Sequence, residues 1–144
     1  MKDKVAELMK DAMRNKDKLK LSTYRSILTA ITNNEKSKTP SKDLDVLMSL
    51  AKQRKQSIEQ FELGGNTEAA LQEKQELDII EGLLPKQMSD NDISEAVNEL
   101  ISQTDGTISM RDMGRLIGQF NAKYEGQDSS KVATILKNVI NNQE

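Results

Sequence analysis

Apolar residues recur along most of the chain with the spacing of one face of a helix. In residues 5–13 they fall at i, i+3, i+4, i+7 and i+8, from Val5 to Met13, which is the period of an amphipathic helix and not the alternation of a strand. Comparable stripes run through residues 21–31, 44–61, 70–84, 93–101, 113–120 and 132–140. The pattern predicts an all-α fold with about seven helices.

Prolines and glycines divide these stripes into two groups. Pro40 and the pair Gly64-Gly65 separate helices within the first part of the chain. Pro85 disfavours helical geometry at Leu84 and ends the fourth stripe. We therefore predict two small helical subdomains, with about four helices in residues 1–85 followed by about three helices in residues 86–144.

Polar residues at the predicted helix starts agree with this division, because their side chains can accept hydrogen bonds from unpaired N–H groups. Ser89 with Asp92, and Ser109 with Asp112, have the spacing of a capping box in which Asp replaces the usual Glu. The other predicted caps are Ser41, then Asn66 or Thr67, and finally Asp128.

The chain contains neither histidine nor cysteine. The commonest general base, the commonest neutral metal ligand and every thiolate site are therefore excluded. The remaining carboxylates lack the loop pattern of a calcium site. The sequence predicts no catalytic residue, no metal site, no cofactor and a binding role rather than an enzymatic one.

Two patterns on the predicted helices could carry chemistry but have simpler interpretations. Glu73 and Glu76 share a helix face with charged neighbours, which is typical of a solvated surface. Gly114 and Gly118 stand four residues apart without the Gly-Lys-Ser/Thr ending of a phosphate loop. We expect these two glycines to allow close packing between helices.

Charge is distributed unevenly along the sequence. Residues 1–60 hold 14 Lys and Arg against 8 Asp and Glu, whereas the remaining 84 residues hold 7 against 15, which gives the total of −2. No apolar run approaches the roughly 18 residues that a membrane span requires, and no apolar signal core follows Met1. We expect a cytoplasmic protein that does not enter the membrane.

Two basic sets could hold the phosphates of an anionic partner. In each set the side chains are spaced so that neighbours share a helix face, but no aromatic residues are interleaved for base stacking. The simpler alternative is that these charges coat ordinary solvated helices. The two sets are Lys52, Arg54 and Lys55 in the basic half, and Arg111, Arg115 and Lys123 in the acidic half.

Four stretches of the chain together resemble the YqeY-like family. They are residues 52–57, 73–80, 83–89 and 112–117, with Leu-Pro-Lys-Gln at 84–87 and Asp-Met-Gly at 112–114 as the strongest anchors. This family is similar to the C-terminal tail of the B subunit of the glutamine-dependent, tRNA-directed amidotransferase. The resemblance implies two helical subdomains, contact with tRNA and no chemistry of the chain's own, because the amidotransferase reactions belong to other domains.

One loop departs from the family pattern. After the Asp-Met-Gly helix the family carries a basic loop, and here Gly126 and Asp128 match it while Glu125 and Gln127 stand where the basic residues would be. The primary hypothesis is a module that binds tRNA or structured RNA through the two basic sets. The alternative is a protein-interaction or regulatory module that binds no RNA and docks on a translation-related or metabolic protein.

Overall fold

The computed structural model describes residues 1–142, and in that range the chain forms seven α-helices and no strand. The predicted all-α fold is confirmed. The helices are α1 (Lys2–Arg14), α2 (Lys18–Glu35), α3 (Asp43–Leu63), α4 (Thr67–Glu81), α5 (Asp90–Ser102), α6 (Met113–Lys123) and α7 (Ser129–Asn141), with a 3₁₀ turn at Met110–Asp112 leading directly into α6.

Contacts divide the chain into two compact units between Leu84 and Pro85. The first unit, Met1–Leu84, contains α1 to α4. The second unit begins at Pro85 and contains α5 to α7. The order of four helices followed by three agrees with the spacing of the apolar stripes.

The first unit consists of two helical hairpins, α1–α2 and α3–α4, with α2 also contacting α3 and α4. Each helix contributes apolar residues to one shared core, because its stripe of i, i+3 and i+4 positions faces inward. The buried members of this core are Val5, Ala12, Tyr24, Ile27, Ile31, Leu47, Ala51 and Ile80.

The second unit has its own core, in which α5, α6 and α7 contact one another. Phe120 and Leu116 on α6 are fully buried at its centre. Their neighbours come from α5, from the segment before the 3₁₀ turn and from α7, and they are Ile93, Ala96, Val97, Ile108, Val132 and Leu136.

Side-chain caps fix most of the helix starts that the sequence predicted. The Asn66 side chain accepts a hydrogen bond from the Ala69 N–H at 3.2 Å. Ser89 and Asp92 form a reciprocal capping box at 3.1 and 3.3 Å. The cap predicted at Ser41 is wrong, because α3 begins after Lys42 without a side-chain cap hydrogen bond.

Ser41 instead closes the connection between α2 and α3. The Asn34 side chain donates to the Ser41 carbonyl at 2.8 Å, and its Oδ1 accepts from the Ser41 N–H at 3.0 Å. This paired contact fixes the end of α2 against the start of the next segment. Within residues 1–142 no helix combines the length and the apolar character that crossing a bilayer would need.

Candidate nucleic-acid interface

The six predicted binding residues divide between the two units. Lys52, Arg54 and Lys55 lie on α3 of the first unit. Arg111 lies on the 3₁₀ turn of the second unit, and Arg115 and Lys123 lie on α6. Each set therefore occupies one continuous helical segment of its own unit.

Lys52 and Lys55 are exposed on neighbouring turns of α3. No Asp or Glu oxygen among residues 1–142 lies within 4.0 Å of either ammonium group. Both charges thus face water without a counter-charge, which is the state in which a lysine can bind a phosphate at little cost.

Arg54 has a different environment, because its side chain turns toward α4. Its Nε lies 3.2 Å from Glu76 Oε2 and 3.4 Å from Glu73 Oε2, and only 20% of the side chain is exposed. The angles do not suit hydrogen bonds, so Arg54 Nε and Glu73 Oε2 are buried atoms without a hydrogen-bond partner in the described chain. Arg54 therefore already has two carboxylates beside it.

Glu73 and Glu76 are mostly buried, so the interpretation of these two residues as a solvated surface is wrong. Their side chains are 22% and 15% exposed. Burial raises the pKa of Glu76 above its ordinary value, the neighbouring Glu73 carboxylate raises it further, and the Arg54 guanidinium only partly offsets both effects. One cation facing two acids leaves the cluster one negative charge in excess when all three groups are ionised.

In the second unit Arg111 and Arg115 share a face with Gly114 and Gly118. Arg111 is exposed, with no carboxylate within 4.0 Å in the described chain, whereas Arg115 lies 3.3 Å from Asp112. The expectation that the two glycines pack between helices is wrong. Both are exposed, and a Cβ at either position would meet nothing within 4 Å. They leave the α6 backbone bare beside the two arginines.

Asp112 organises the start of this segment. Its carboxylate accepts a hydrogen bond from the Ser109 N–H at 2.8 Å and pairs with Arg115. These contacts hold the pKa of Asp112 below its ordinary value, with the backbone hydrogen bond as the largest cause. Asp112 therefore stays ionised at neutral pH, and its ion pair holds the Arg115 side chain near the start of α6.

Lys123, the sixth predicted residue, ends α6. Its ammonium lies 3.9 Å from Glu99 Oε1 and 5.6 Å from the centre of the Tyr124 ring. Both contacts are solvent-exposed and weak. Lys123 can leave them for a stronger anion without disturbing the core.

The comparisons with known proteins agree with the motifs seen in the sequence. A family model described as YqeY-like protein matches residues 2–140. The chain belongs to the YqeY-like family. No curated protein matches it.

The loop that distinguishes this YqeY-like protein has a structural role at Gln127. This side chain is 7% exposed, accepts from the Met88 N–H at 2.8 Å and donates to the Lys86 carbonyl at 3.1 Å. Gln87 completes the contact by donating to the Gly126 carbonyl at 2.8 Å. Sequence reasoning treated position 127 as a lost charge and missed that its amide fastens the segment after Pro85.

Proposed function

We propose that this YqeY-like protein is a non-catalytic module that binds tRNA or another structured RNA through its exposed basic helical faces. The observation that carries the proposal is the state of Lys52, Lys55 and Arg111. All three are exposed and lie more than 4.0 Å from every carboxylate of residues 1–142. Cations in this state gain most from contact with phosphates, because binding them breaks no existing ion pair.

The bare face of α6 supports the same function. Gly114 and Gly118 let an extended partner approach the helix backbone closely, and Arg111 and Arg115 flank that approach. Arg54 has a supporting role in this proposal, since its guanidinium holds α3 against the acids of α4 rather than facing solvent.

A non-catalytic role is supported by the side chains that could do chemistry. The sequence has no histidine or cysteine, and residues 1–142 contain no group of three or more potential metal ligands. Burial raises the pKa of Glu76, but its carboxylate is directed at Arg54 and is largely shielded from solvent.

The test is fluorescence anisotropy with labelled bulk tRNA across a salt series. The proposal expects a dissociation constant that rises steeply with salt. The slope of its logarithm against the logarithm of the salt concentration should fall by about one for each phosphate contact removed. The variants are Lys52→Gln with Lys55→Gln in one protein and Arg111→Gln in another, with Lys4→Gln on α1 as the control whose charge change equals that of Arg111→Gln. Equal affinity and slope in all four proteins would refute the proposal.

A protein-interaction module is the second candidate, and exposed leucines on the α3–α4 hairpin favour it. Leu63 is 78% exposed and Leu71 is 57% exposed. An apolar contact at this end of the hairpin would bind a protein and be insensitive to salt. Recovery of a nuclease-resistant partner by the parent chain, lost with Leu63→Ser and retained with Leu8→Met, would establish this function.

A further inference from the structure

A shallow groove runs between α2 and α3 of the first unit, and none of the six predicted binding residues lines it. It comprises two cavities of about 490 and 250 Å³, which share Ala30 and Leu50 in their walls. On α2 the lining side chains fall at i, i+3, i+4, i+7 and i+11, so one face of the helix forms the whole wall. These residues are Ser22, Arg25, Ser26, Thr29 and Asn33.

Three donor side chains on this wall have no hydrogen-bond or ion-pair partner among residues 1–142. Arg25 is exposed and makes no ion pair with any carboxylate of the described residues. The side-chain hydroxyls of Ser22 and Ser26, on the same face of α2, make no hydrogen bond within residues 1–142. Three neighbouring side chains can therefore all donate to one ligand.

The charge of α2 identifies the ligand as an anion. Between Asp17 and Glu35 the helix contains no acidic residue, while Arg25 lies in the groove wall and Lys18 lies on the same helix face one turn before Ser22. Arginine, serine and asparagine are the side chains that most often contact phosphate and sugar in nucleic-acid complexes. The wall from Ser22 to Asn33 is about 16 Å long, which is long enough to follow more than one phosphate of a strand.

The remaining lining residues indicate a base-paired RNA rather than a single strand. No aromatic side chain lines either cavity, so the groove offers no surface on which unpaired bases could stack. Hydroxyl and amide groups continue into the second cavity as Ser49 and Gln53, and Asp45 lies there too. These groups can exchange hydrogen bonds with 2′-hydroxyls, and a carboxylate accepts from a hydroxyl but repels a phosphate.

We infer that the α2–α3 groove holds the sugar–phosphate backbone of double-helical RNA, with phosphates at the Arg25 end and 2′-hydroxyls at the Asp45 end. The inference rests on the proposed function and gives that function a site of its own. The Asn34–Ser41 contact braces the closed end of the groove, so little ordering is needed on binding.

The experiment measures anisotropy of three labelled probes of one sequence: an RNA duplex, the matching DNA duplex and the single RNA strand. The parent chain should bind the RNA duplex most tightly. Arg25→Gln should weaken that binding about tenfold at low salt, the size expected for one charge-assisted contact, and should lower the salt slope by about one. Ser49→Ala, at the end assigned to the 2′-hydroxyls, should reduce the preference for RNA over DNA.

Lys4→Gln is the matched control, because it removes one exposed charge from the same unit outside the groove. Circular dichroism of each variant verifies its fold, and Arg25 is suited to this test because it is exposed and unpaired. If Arg25→Gln leaves duplex binding unchanged while Lys52→Gln with Lys55→Gln weakens it, the groove is not the binding site. The proposed function would then stand. Equal affinity for all three probes would overturn the duplex assignment, and binding to none of them would overturn both inferences.

Discussion

Replacing Arg54 by methionine tests whether the ion cluster between α3 and α4 holds the first unit together. Methionine keeps a long unbranched side chain, so the change removes the guanidinium with little loss of packing. Glu73 and Glu76 would remain as two mostly buried acids without a cation. The net charge of the cluster would change from −1 to −2 when both acids are ionised.

The magnitude follows from burial. Removing one partner from a fully buried ion pair costs about 3–5 kcal/mol. The three side chains here keep between 15% and 22% of their exposure, so water screens part of the remaining repulsion. We expect Arg54→Met to lower the free energy of unfolding by about 2–3 kcal/mol at pH 7, and by less as the pH falls through the raised pKa of Glu76, because protonation removes one charge.

Urea unfolding followed by circular dichroism measures the loss, and amide hydrogen exchange assigns it to a unit. Amides of α3 and α4 should exchange faster, while those of α7 should not change. Arg14→Met is the matched control, because Arg14 pairs with Asp11 at 3.2 Å but is 74% exposed, and its loss should cost less than about 0.5 kcal/mol. A loss below about 0.5 kcal/mol in Arg54→Met, or an equal loss in both units, would refute the reasoning.

Three further predictions concern single residues. Because the folded-state pKa of Glu76 is raised above its ordinary 4.5, the stability contributed by its proton is fully present below pH 4.5 and is lost as pH rises through the raised value. The free energy of unfolding, measured with urea at pH 4.5 and at pH 7, should therefore rise for Glu76→Gln relative to the parent chain as the pH increases. Gly118→Ala should raise the free energy of unfolding by about 0.5–1 kcal/mol, and the melting temperature with it. The reason is that alanine favours the helix and its Cβ would meet no neighbouring atom. Gln127→Lys should destabilise the second unit by about 1–3 kcal/mol in thermal unfolding, because it removes the acceptor of the Met88 N–H; an equal loss in the exposed control Gln119→Lys would contradict this.

The helices were predictable because each one has a regular apolar stripe and a local stop. The period of 3.6 residues depends only on neighbouring positions, and so does the cap at Asn66. The actual role of Ser41, whose backbone pairs with the Asn34 side chain, was not predictable in the same way. Its partner, Asn34, lies seven residues earlier on another helix, and a local pattern cannot show which of two contacts a serine makes.

The ion cluster was missed although the sequence contains a clue to it. Glu73 lies three residues after the buried Ala70, and Glu76 lies four before the buried Ile80, so both acids fall on the apolar stripe of α4. An acid on such a stripe requires a cation from a facing helix. The sequence could not show that Arg54, rather than Lys52 or Lys55, would supply it.

The bare glycines of α6 have a consequence for motion. Two glycines on the solvent face of a helix expose its hydrogen bonds to water and leave the backbone more freedom when it opens. The stretch around Gly114 and Gly118 should therefore open locally more often than α5 or α7, with Leu116 and Phe120 anchoring its other side. A ligand lying across this face would suppress that local opening. Part of its favourable binding free energy would therefore be offset by the conformational entropy that the helix loses.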